Sequence, residues 1–378
     1  MSGTAQPVPV LLMARELGVG GSERQLVEMA KALDRTRFLP HVGCMREGFR
    51  CAELRAAAVP VAVFPVRSLY GPSALAGAWQ LRRYLMRHNI QLLHAFDVPM
   101  NLFAVPVARL AGTPVILSSQ RAFRGLTPGL RRRFLRLTDR LVDGVVVNGE
   151  AVRQHLIQNE FVPAEKIHLC YNGIDIARFD PQPRPDRPEL TIGAVCALRP
   201  EKDIATLIRA FGKARQAHWR LMIVGSGPCL PDLQTLVRDL DLTRATTFHA
   251  TTDQVPARLR EIDIFVLPSL SESFSNALME AMASGCAVVA SRVGGNPELV
   301  TPGETGLLFE AGRSDELAGA LVRLGESAPL RKQLAASGSE FIRGRFTVAA
   351  AAHRLEEIYE ASLRRKSAAI TIQPPGRL

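Results

Sequence analysis

Residues 264–285 read Ile264-Phe-Val-Leu-Pro-Ser-Leu-Ser-Glu-Ser-Phe-Ser-Asn-Ala-Leu-Met-Glu-Ala-Met-Ala-Ser-Gly285. The first four residues are continuously apolar, which predicts a buried strand that ends at Pro268. Ser275 is suited to cap a helix over residues 276–284, and Gly285 is suited to end it. A buried strand, a short loop and a helix form the repeating unit of parallel α/β sheets.

The same alternation runs along the whole chain and predicts an α/β fold with parallel sheets. The predicted strands are residues 8–14, 39–45, 61–66, 91–95, 114–118, 144–148, 167–171, 191–197, 220–224, 246–249, 263–267 and 286–291. Helical patterns lie between most of them, among them residues 23–33, 203–216 and 230–240, and a last one covers about 347–364.

The alternation breaks at Asp180-Pro-Gln-Pro-Arg-Pro-Asp-Arg-Pro188, where four prolines occur in nine residues. Such a segment forms neither a helix nor a central strand, so we expect the domain linker here. A chain of 378 residues has room for two domains. We expect them over residues 1–182 and 183–346, followed by a C-terminal crossover helix and tail over residues 347–378.

The composition limits the class of protein. The formal net charge of +11 indicates either an anionic partner or a merely arginine-rich composition. Six cysteines show neither Cys-x-x-Cys nor zinc-ligand spacing, which predicts free thiols in a reduced, cytosolic setting. Residues 7–14 are apolar but lack a preceding basic region, so we expect no signal peptide. No apolar run reaches the ~20 residues of a membrane span, so membrane contact would be peripheral.

Two carboxylates bracket the predicted helix start, with Glu272 on the loop and Glu280 inside the helix. Exposed N–H groups near Ser275 and Asn276 are suited to bind a diphosphate. Glu280 could accept hydrogen bonds from ribose hydroxyls, and Glu272 from hydroxyls of a transferred sugar. The alternative for Glu280 is a solvated helix residue.

Two glycine-rich turns each follow a predicted strand and open a helix. They are Gly18-Val-Gly-Gly21-Ser22-Glu23 and Val224-Gly-Ser-Gly-Pro228. Their glycines would let backbone N–H groups approach a phosphate, and Ser22 is suited to cap the first helix. Neither turn completes the dinucleotide pattern Gly-x-Gly-x-x-Gly, since Glu23 stands at its last glycine. The alternative is a tight turn without a ligand.

Three further features have both a functional and a plain interpretation. Lys202, in Arg199-Pro-Glu-Lys202, could neutralise a phosphate, or it could be a solvated loop lysine. His94 ends a predicted strand, where α/β sheets place ligand groups. Asp239-Leu-Asp241 has the spacing of manganese-dependent transferases, but it lies at a helix end and we interpret it as solvated.

Together these residues resemble the family-4 retaining glycosyltransferases, over about residues 10–345. The resemblance rests on motifs in the same order and at matching spacing. They are Gly20-Gly-Ser-Glu-Arg24, Tyr171-Asn-Gly-Ile-Asp175, Leu198-Arg-Pro-Glu-Lys202, Val224-Gly-Ser-Gly-Pro228, Val266-Leu-Pro-Ser269, Glu272-Ser-Phe-Ser-Asn-Ala-Leu-Met-Glu280 with Ala281-Met-Ala-Ser-Gly285, and Gly294-Gly-Asn-Pro-Glu-Leu-Val300.

This resemblance implies the GT-B fold, in which two Rossmann-like, doubly wound domains face an interdomain cleft. It implies transfer of a sugar from a UDP- or GDP-sugar to an acceptor hydroxyl with retention of the anomeric configuration. The donor would be held mainly by the C-terminal domain and the acceptor by the N-terminal domain. No bound metal or cofactor is implied.

The resemblance also assigns roles to residues of this chain. It places Lys202 on the donor diphosphate, Glu272 on the sugar and Glu280 on the ribose, with Lys202 and Glu272 as the catalytic pair. The full set of implied or candidate donor-binding residues is Gly20, Gly21, Arg199, Lys202, Gly225, Gly227, Glu272, Ser273, Phe274, Ser275, Asn276 and Glu280.

Two positions depart from the family pattern. Cys196 and Ala197 stand where the family often has Gly-Arg, so one phosphate cation is missing unless Arg199 or another arginine replaces it. Gln120 stands where many members have a histidine near the reaction centre. A retaining transfer does not require a protein base, because a phosphate oxygen can take the acceptor proton. His94, Gln120 and Arg121 are the acceptor-side candidates.

These departures motivate an alternative, a catalytically silent GT-B protein that binds a glycan or a protein partner. Retention of Lys202, Glu272 and Glu280 argues against it. A nucleotide-dependent dehydrogenase is disfavoured because neither glycine turn completes its fingerprint.

A basic helical segment suggests where the acceptor comes from. Arg131, Arg132, Arg133 and Arg136 lie beside apolar residues within 130–137, a pattern suited to anionic lipid headgroups, although a solvated amphipathic helix would look the same. Related enzymes often build cell-surface polysaccharides on lipid carriers. We therefore expect a cytoplasmic protein, peripheral at the inner face of the membrane, with a lipid-linked or saccharide acceptor and no nucleic-acid partner.

Overall fold

The computed structural model describes residues 6–18, 20–126, 129–181, 188–252 and 254–372. The chain divides into two compact units, which we call the N-terminal unit (residues 1–173 and 348–378) and the C-terminal unit (residues 174–347). Most of the proline-rich segment predicted as the linker, residues 182–187, lies outside the described residues.

The N-terminal unit is built on a parallel sheet of seven strands in the order β3-β2-β1-β4-β5-β6-β7. The strands are β1 Val8–Glu16, β2 Phe38–Arg46, β3 Val61–Val63, β4 Leu92–Ala95, β5 Val115–Gln120, β6 Gly144–Val147 and β7 Ile167–Leu169. The helices within this part of the chain are α1 Gly21–Ala32, α2 Arg50–Ala56, α3 Pro72–Arg87, α4 Val98–Leu110, α5 Gly129–Leu141 and α6 Glu150–Glu160.

Alternate side chains of β1 enter two different hydrophobic layers. Leu12 packs with α1 and α2, whereas Leu11 and Met13 pack with α3, α4 and α6. A strand buried on both faces needs apolar residues at every position, which is why these strands read as continuous apolar runs. The unit is therefore doubly wound, as predicted.

The C-terminal unit has a second parallel sheet of six strands in the order β10-β9-β8-β11-β12-β13. The strands are β8 Leu190–Val195, β9 Trp219–Val224, β10 Thr246–His249, β11 Ile264–Leu267, β12 Ala287–Ser291 and β13 Leu307–Phe309. The helices are α7 Ile204–Ala214, α8 Leu230–Asp239, α9 Val255–Glu261, α10 Asn276–Ala283, α11 Asn296–Leu299, α12 Ser314–Gly325 and α13 Ala328–Arg345.

The last helix, α14 (Val348–Ile372), belongs to the N-terminal unit. It buries Leu355, Ile358 and Tyr359 in the layer that α1 and α2 also cover. Arg37, in the turn that precedes β2, also binds the helix, since its Nη1 donates to Glu356 Oε2 at 2.7 Å. The C-terminal end of the chain thus completes the core of the N-terminal unit.

All the predicted strands are present, and the structure adds β13, which the sequence analysis missed. This strand has only three residues, too few to show an apolar run distinct from a loop. All six cysteines are free thiols. Within the described residues, no helix has both the length and the apolar character needed to cross a bilayer.

Candidate functional site

In the C-terminal sheet the strand order changes direction between β8 and β11, which are neighbours. The loops that leave the carboxyl ends of two such strands turn to opposite faces and leave a crevice between them, where α/β proteins bind ligands. Lys202 lies on the loop after β8, in a short 3-10 turn over Pro200–Lys202. Glu272 lies on the loop after β11. The topology therefore brings together two residues that are far apart in the sequence.

Lys202 and Glu272 form an ion pair, with Lys202 Nζ 2.5 Å from Glu272 Oε1. The Ser269 hydroxyl donates to the same oxygen at 2.7 Å. The glutamate side chain is 9% exposed and the lysine side chain 22%, so water reaches the lysine end more readily. Among the described residues Oε2 of Glu272 has no recorded hydrogen bond, which leaves that oxygen for a ligand hydroxyl.

The loop that carries Glu272 is supported from the next strand. The Ser291 hydroxyl donates to the Ser269 carbonyl at 2.6 Å, and Asn296 Nδ2 donates to the Ser291 carbonyl at 2.9 Å. Gly295 passes so close that a Cβ there would lie 2.2 Å from the Ser273 carbonyl oxygen. The motifs containing Ser269 and Asn296 carried the family resemblance, but the sequence alone did not reveal this supporting role.

Helix α10 begins as predicted, because the Ser275 hydroxyl accepts from the Leu278 N–H at 3.3 Å. Gly285 follows the helix with φ of +74°, the left-handed conformation expected for the residue that ends it. Phe274 is buried against Phe346, with ring centres 5.4 Å apart, and this contact holds the start of the helix in place. Glu280 is buried in the second turn of the same helix rather than solvated on its surface.

The glycines after β9 have a packing role that the sequence did not show. A Cβ at Gly225, where φ is +154°, would lie 1.8 Å from the Cys196 carbonyl oxygen, and one at Gly227 would lie 2.3 Å from the Leu198 carbonyl oxygen. The Leu198 N–H donates to the Ser226 carbonyl at 3.0 Å. This turn therefore packs directly on the backbone that leads to Lys202.

Cys196 lies beside Lys202 and Glu272. Burial raises the pKa of the Cys196 thiol to about 12, with a smaller opposing effect from the Lys202 charge. The thiol is therefore protonated at neutral pH. Arg199 is the nearest candidate for the missing phosphate cation, with a side chain 64% exposed and Nη1 4.0 Å from Glu201 Oε1.

In the N-terminal unit, helix α1 begins at Gly21 and Gly20 is its cap residue, so the expectation that Ser22 caps this helix is wrong. The Glu23 carboxylate instead folds back over the helix start, where a Cβ at Gly20 would lie 2.0 Å from Glu23 Oε2. A phosphate at this helix start would have to displace that carboxylate.

His94 is completely buried at the end of β4. Its Nδ1 lies 2.9 Å from the Tyr359 hydroxyl of α14, and its Nε2 lies 2.9 Å from the Ser119 hydroxyl. Both ring nitrogens are therefore engaged within the core. Burial lowers the pKa of His94 well below its usual value, and the nearby Arg121 charge acts in the same direction.

Gln120 is also buried and engaged. Its Nε2 donates to the Ala122 carbonyl at 2.5 Å, and its Oε1 accepts from Arg124 Nε at 3.0 Å. Arg124 in turn binds Asp139 through both terminal nitrogens, at 2.6 and 2.8 Å. Gln120 thus connects the end of β5 to helix α5.

Arg121 has its guanidinium carbon 4.8 Å from the centre of the Phe96 ring, and its Nη1 donates to Asn172 Oδ1 at 2.7 Å. Burial lowers the pKa of Arg121 to about 10, so the side chain is still a cation at neutral pH.

The basic segment predicted to be a helix is α5, and its arginines divide into two groups. Arg132 Nε and Arg136 Nε bind the two oxygens of the fully buried Glu160 side chain at 2.6 and 2.9 Å. Arg131 and Arg133 are exposed and form no ion pair with another described residue. Arg132 and Arg136 therefore have a structural role, because their charges are paired with Glu160.

Asp239 is the last residue of α8, and Asp241 lies in the following turn with φ of +51°. Both are exposed at the end of a helix, as the sequence analysis proposed for this pair.

Replacing Gly225 by alanine tests the close packing of the β9–α8 turn. Gly225→Ala forces a Cβ into the Cys196 carbonyl, so we expect a loss of about 3 kcal/mol or more in the unfolding free energy of the C-terminal unit. Gly312→Ala is the matched control, because Gly312 has φ of +77° but no atom within 4 Å of the added Cβ. It should cost only about 1 kcal/mol. Equal losses in urea denaturation would contradict this packing.

The buried His94 predicts a pH dependence of stability. An ordinary histidine has a pKa of about 6.5 when unfolded, and the folded value is lower, so the stabilisation is complete above about pH 6.5 and is lost as the pH falls towards the folded pKa. The loss should approach about 1.4 kcal/mol per pH unit in that range.

Calorimetric unfolding of the wild type and His94→Gln between pH 8 and 5 measures this effect. The stability difference between the two proteins should shrink as the pH falls. Tyr359→Phe keeps the titrating histidine. It should be less stable than the wild type at every pH, but its unfolding free energy should change with pH as steeply as that of the wild type. A wild-type-to-Gln difference that is constant with pH would refute the prediction.

Two family models match the chain. The model described as Glycosyltransferase Family 4 matches residues 19–178, and the model described as Glycosyl transferases group 1 matches residues 189–327. The matched ranges together take in most of both units.

Named relatives agree with these matches. A GDP-mannose-dependent alpha-(1-6)-phosphatidylinositol monomannoside mannosyltransferase of Mycobacterium tuberculosis is 29% identical over 290 residues, which is 70% of this chain and 74% of the relative. An N-acetyl-alpha-D-glucosaminyl L-malate synthase of Bacillus anthracis is 26% identical over 313 residues, covering 78% of this chain and 81% of that protein. Such relatives do not favour the catalytically silent alternative.

The fold has a close counterpart among solved structures. HepE of Anabaena, in complex with UDP-glucose, superposes with a TM-score of 0.83 at 21% identity, covering 93% of this chain and 99% of HepE. This likeness supports the fold, and the family models supply the activity class. The chain belongs to the family-4 glycosyltransferases, retaining enzymes with the GT-B fold.

Proposed function

We propose that this glycosyltransferase takes its sugar from a UDP- or GDP-sugar bound by the C-terminal unit. The observation that carries the proposal is the Lys202–Glu272 pair at the switch point of the sheet, next to the capped start of α10. A cation, a carboxylate and a helix N-terminus are the groups that a sugar diphosphate requires. HepE with UDP-glucose and the GDP-mannose-dependent relative support both bases as candidates.

Each group has a distinct task in this proposal. Lys202, the backbone N–H groups of Ser273 and Phe274 before α10, and that of Asn276 at its start stabilise the charge that develops on the leaving diphosphate. Glu272 accepts a sugar hydroxyl through Oε2 while Oε1 stays with Ser269. The bond from the anomeric carbon to the phosphate oxygen breaks, and the acceptor oxygen bonds to that carbon on the same face. A phosphate oxygen takes the acceptor proton.

The remaining donor contacts follow from position. Glu280 accepts from the ribose hydroxyls, and Gly225 and Gly227 keep the turn close to the loop of Lys202. Arg199 replaces the missing family arginine, since its exposed side chain lies three residues before Lys202.

On the acceptor side we assign different roles to the three candidates. His94 is hydrogen-bonded to Tyr359 and Ser119, and Gln120 to Ala122 and Arg124. Both residues therefore act by positioning the ends of β4 and β5. Arg121, held against Phe96, is the candidate for direct contact with an acceptor.

We further propose that the enzyme acts in the assembly of cell-envelope polysaccharide or glycolipid, on a lipid-linked or saccharide acceptor, from the cytoplasmic side of the membrane. The relative that acts on a phosphatidylinositol mannoside supports a membrane-bound acceptor.

Nucleotide binding tests the donor site. Thermal shift with UDP, GDP and ADP identifies the base, and turnover of the matching nucleotide sugars identifies the donor. Glu280→Gln should weaken the binding of both the nucleoside and the nucleoside diphosphate about tenfold or more, since a hydrogen bond to a charged group contributes ~1.5–3 kcal/mol. Lys202→Ala should weaken binding of the nucleoside diphosphate but leave binding of the nucleoside unchanged.

Glu304→Gln is the control, because Glu304 is an exposed carboxylate of the same unit. It should bind as the wild type does. If no nucleotide diphosphate binds to the folded protein, the enzyme proposal fails. If Glu280→Gln leaves affinity unchanged, its ribose role fails alone.

Helix α5 offers a surface for an anionic membrane. Leu130, Phe134 and Leu137 are exposed and share one face at helical spacing, and Arg133 and Arg140 lie within that same face. Apolar residues flanked by arginines are the pattern of interfacial helices. Because Arg132 and Arg136 bind Glu160, we propose that Arg133 and Arg140 carry most of the attraction on this face.

Flotation with vesicles tests this surface. The wild type should float with anionic vesicles and not with zwitterionic ones. The double variant Arg133→Glu, Arg140→Glu should lose at least about 2 kcal/mol of binding, roughly thirtyfold in partitioning. A control of equal charge change, Arg209→Glu with Arg244→Glu on the C-terminal unit, should float like the wild type. Equal behaviour of the two double variants would remove α5 from the proposal.

A further inference from the structure

A pocket of about 810 Å³ lies within the N-terminal unit, and none of its lining residues is among those assigned to the donor. It is formed at the carboxyl edge of the sheet by the ends of β1 and β2, the loop after β3, and the first turns of α4 and α5. Its lining residues are Arg15, Met45, Arg46, Pro65, Val66, Arg67, Ser68, Leu69, Tyr70, Val98, Pro99, Leu102 and Arg131.

The position of the pocket is that of a ligand site. β1 and β4 are the neighbours at which the strand order of this sheet changes direction, and the pocket draws on the end of β1 and on the helix that follows β4. Loops on the two sides of this point turn to opposite faces and leave space between them. The fold thus forms a crevice here without any help from the C-terminal unit.

The charge of the pocket is one-sided. Four arginines from four different segments line it, with no acidic residue among the lining residues. Arg46 is paired with Glu16 at 3.0 Å. For the guanidinium groups of Arg15, Arg67 and Arg131, the described part of the chain records no ion pair. Arginines gathered in this way attract an anion and suit the forked hydrogen bonding of phosphate.

One carboxylate, that of Asp97, lies next to the pocket without lining it. Asp97 caps α4 and is occupied by backbone donors, with Oδ1 accepting from the Met100 N–H at 2.9 Å and Oδ2 from the Arg15 N–H at 2.6 Å. Burial raises the pKa of Asp97 to about 6, so the carboxylate is still mostly ionised at neutral pH and offsets part of the charge of Arg15. Arg67 and Arg131 therefore supply most of the uncompensated positive charge of the pocket.

The rest of the wall is apolar. Met45 and Val66 are buried at its base, Val98 and Leu102 form one side, and Tyr70 is 71% exposed at the rim. The loop that carries Arg67 and Tyr70 has a defined conformation, because the Ser73 hydroxyl accepts from the Arg67 and Ser68 N–H groups at 3.2 and 3.4 Å. The pocket therefore offers cations and an apolar surface side by side.

We propose that this pocket binds the phosphoryl or diphosphoryl group of an amphiphilic acceptor, whose apolar chain lies against Val66, Leu102 and Tyr70. The proposal rests on the proposed transferase function and names the chemical class of its acceptor. A neutral saccharide acceptor would leave the arginines without an anion, and a free sugar phosphate would leave the apolar wall exposed to water. An amphiphilic phosphate satisfies both parts.

Calorimetric titration of the full chain with farnesyl diphosphate, below its micelle concentration, tests this inference. Saturating nucleotide diphosphate is present so that the donor site cannot take up the probe. Farnesol and glucose 1-phosphate are titrated in parallel. Arg67→Glu and Arg131→Glu are compared with Arg82→Glu, an exposed arginine on α3 outside the pocket.

Farnesyl diphosphate should bind more tightly than either partial probe, and its Kd should rise about tenfold or more in Arg67→Glu and Arg131→Glu. Arg82→Glu should stay within about twofold of the wild type. Equal affinity in all three variants overturns the assignment of the pocket. If glucose 1-phosphate binds as tightly as farnesyl diphosphate, the proposed contact with an apolar chain is wrong. If farnesol binds as tightly, the proposed contact with a phosphate is wrong. Nucleotide binding is measured on the same variants. Normal nucleotide binding together with unchanged farnesyl diphosphate binding contradicts only the pocket assignment, whereas loss of nucleotide binding indicates a failure of the donor site.

Discussion

In each sheet the strand order changes direction beside the first strand of the unit, and this constraint places the proposed donor site and the arginine-lined pocket. Connections on the two sides of that point go to opposite faces, so the loops separate and cannot fill the space between them. In the C-terminal unit the two loops carry Lys202 and Glu272. In the N-terminal unit the corresponding crevice is the arginine-lined pocket. One topological rule therefore generates an anion-attracting site in each unit.

The energetics of the C-terminal site explain why its polar residues depend on one another. A buried polar network stabilises a protein only when each member finds a partner, because an unsatisfied group in a low-dielectric interior is costly. Lys202 and Ser269 both satisfy Glu272, and Ser291 and Asn296 hold the loop that carries it. Glu272 is therefore held in place before any ligand arrives. For the proposed donor, a site held in this way would need little reorganisation as charge develops on the leaving group.

Much of the fold could be predicted because parallel strands buried on both faces have a distinctive apolar pattern. The strand Ile264–Leu267 and the helix capped by Ser275 follow directly from residue chemistry, and both are present. The failures are also local. β13 is too short to form a pattern, and α1 begins at Gly21 with Gly20 as its cap, two residues before the predicted cap Ser22.

The sequence by itself determined the two parallel α/β units and the family, and it singled out Lys202, Glu272 and Glu280 as candidates, because apolar periodicity and motif order are properties of the linear chain. Only the tertiary structure decided what those and other residues contact. Lys202 and Glu272, 70 positions apart in the sequence, form an ion pair, and the buried His94 is hydrogen-bonded to Tyr359 of the last helix. One pocket is lined by Arg15, Arg46, Arg67 and Arg131. The physical reason is that burial and pairing of charge depend on which strand ends are neighbours in the sheet, and spacing along the chain does not contain that order.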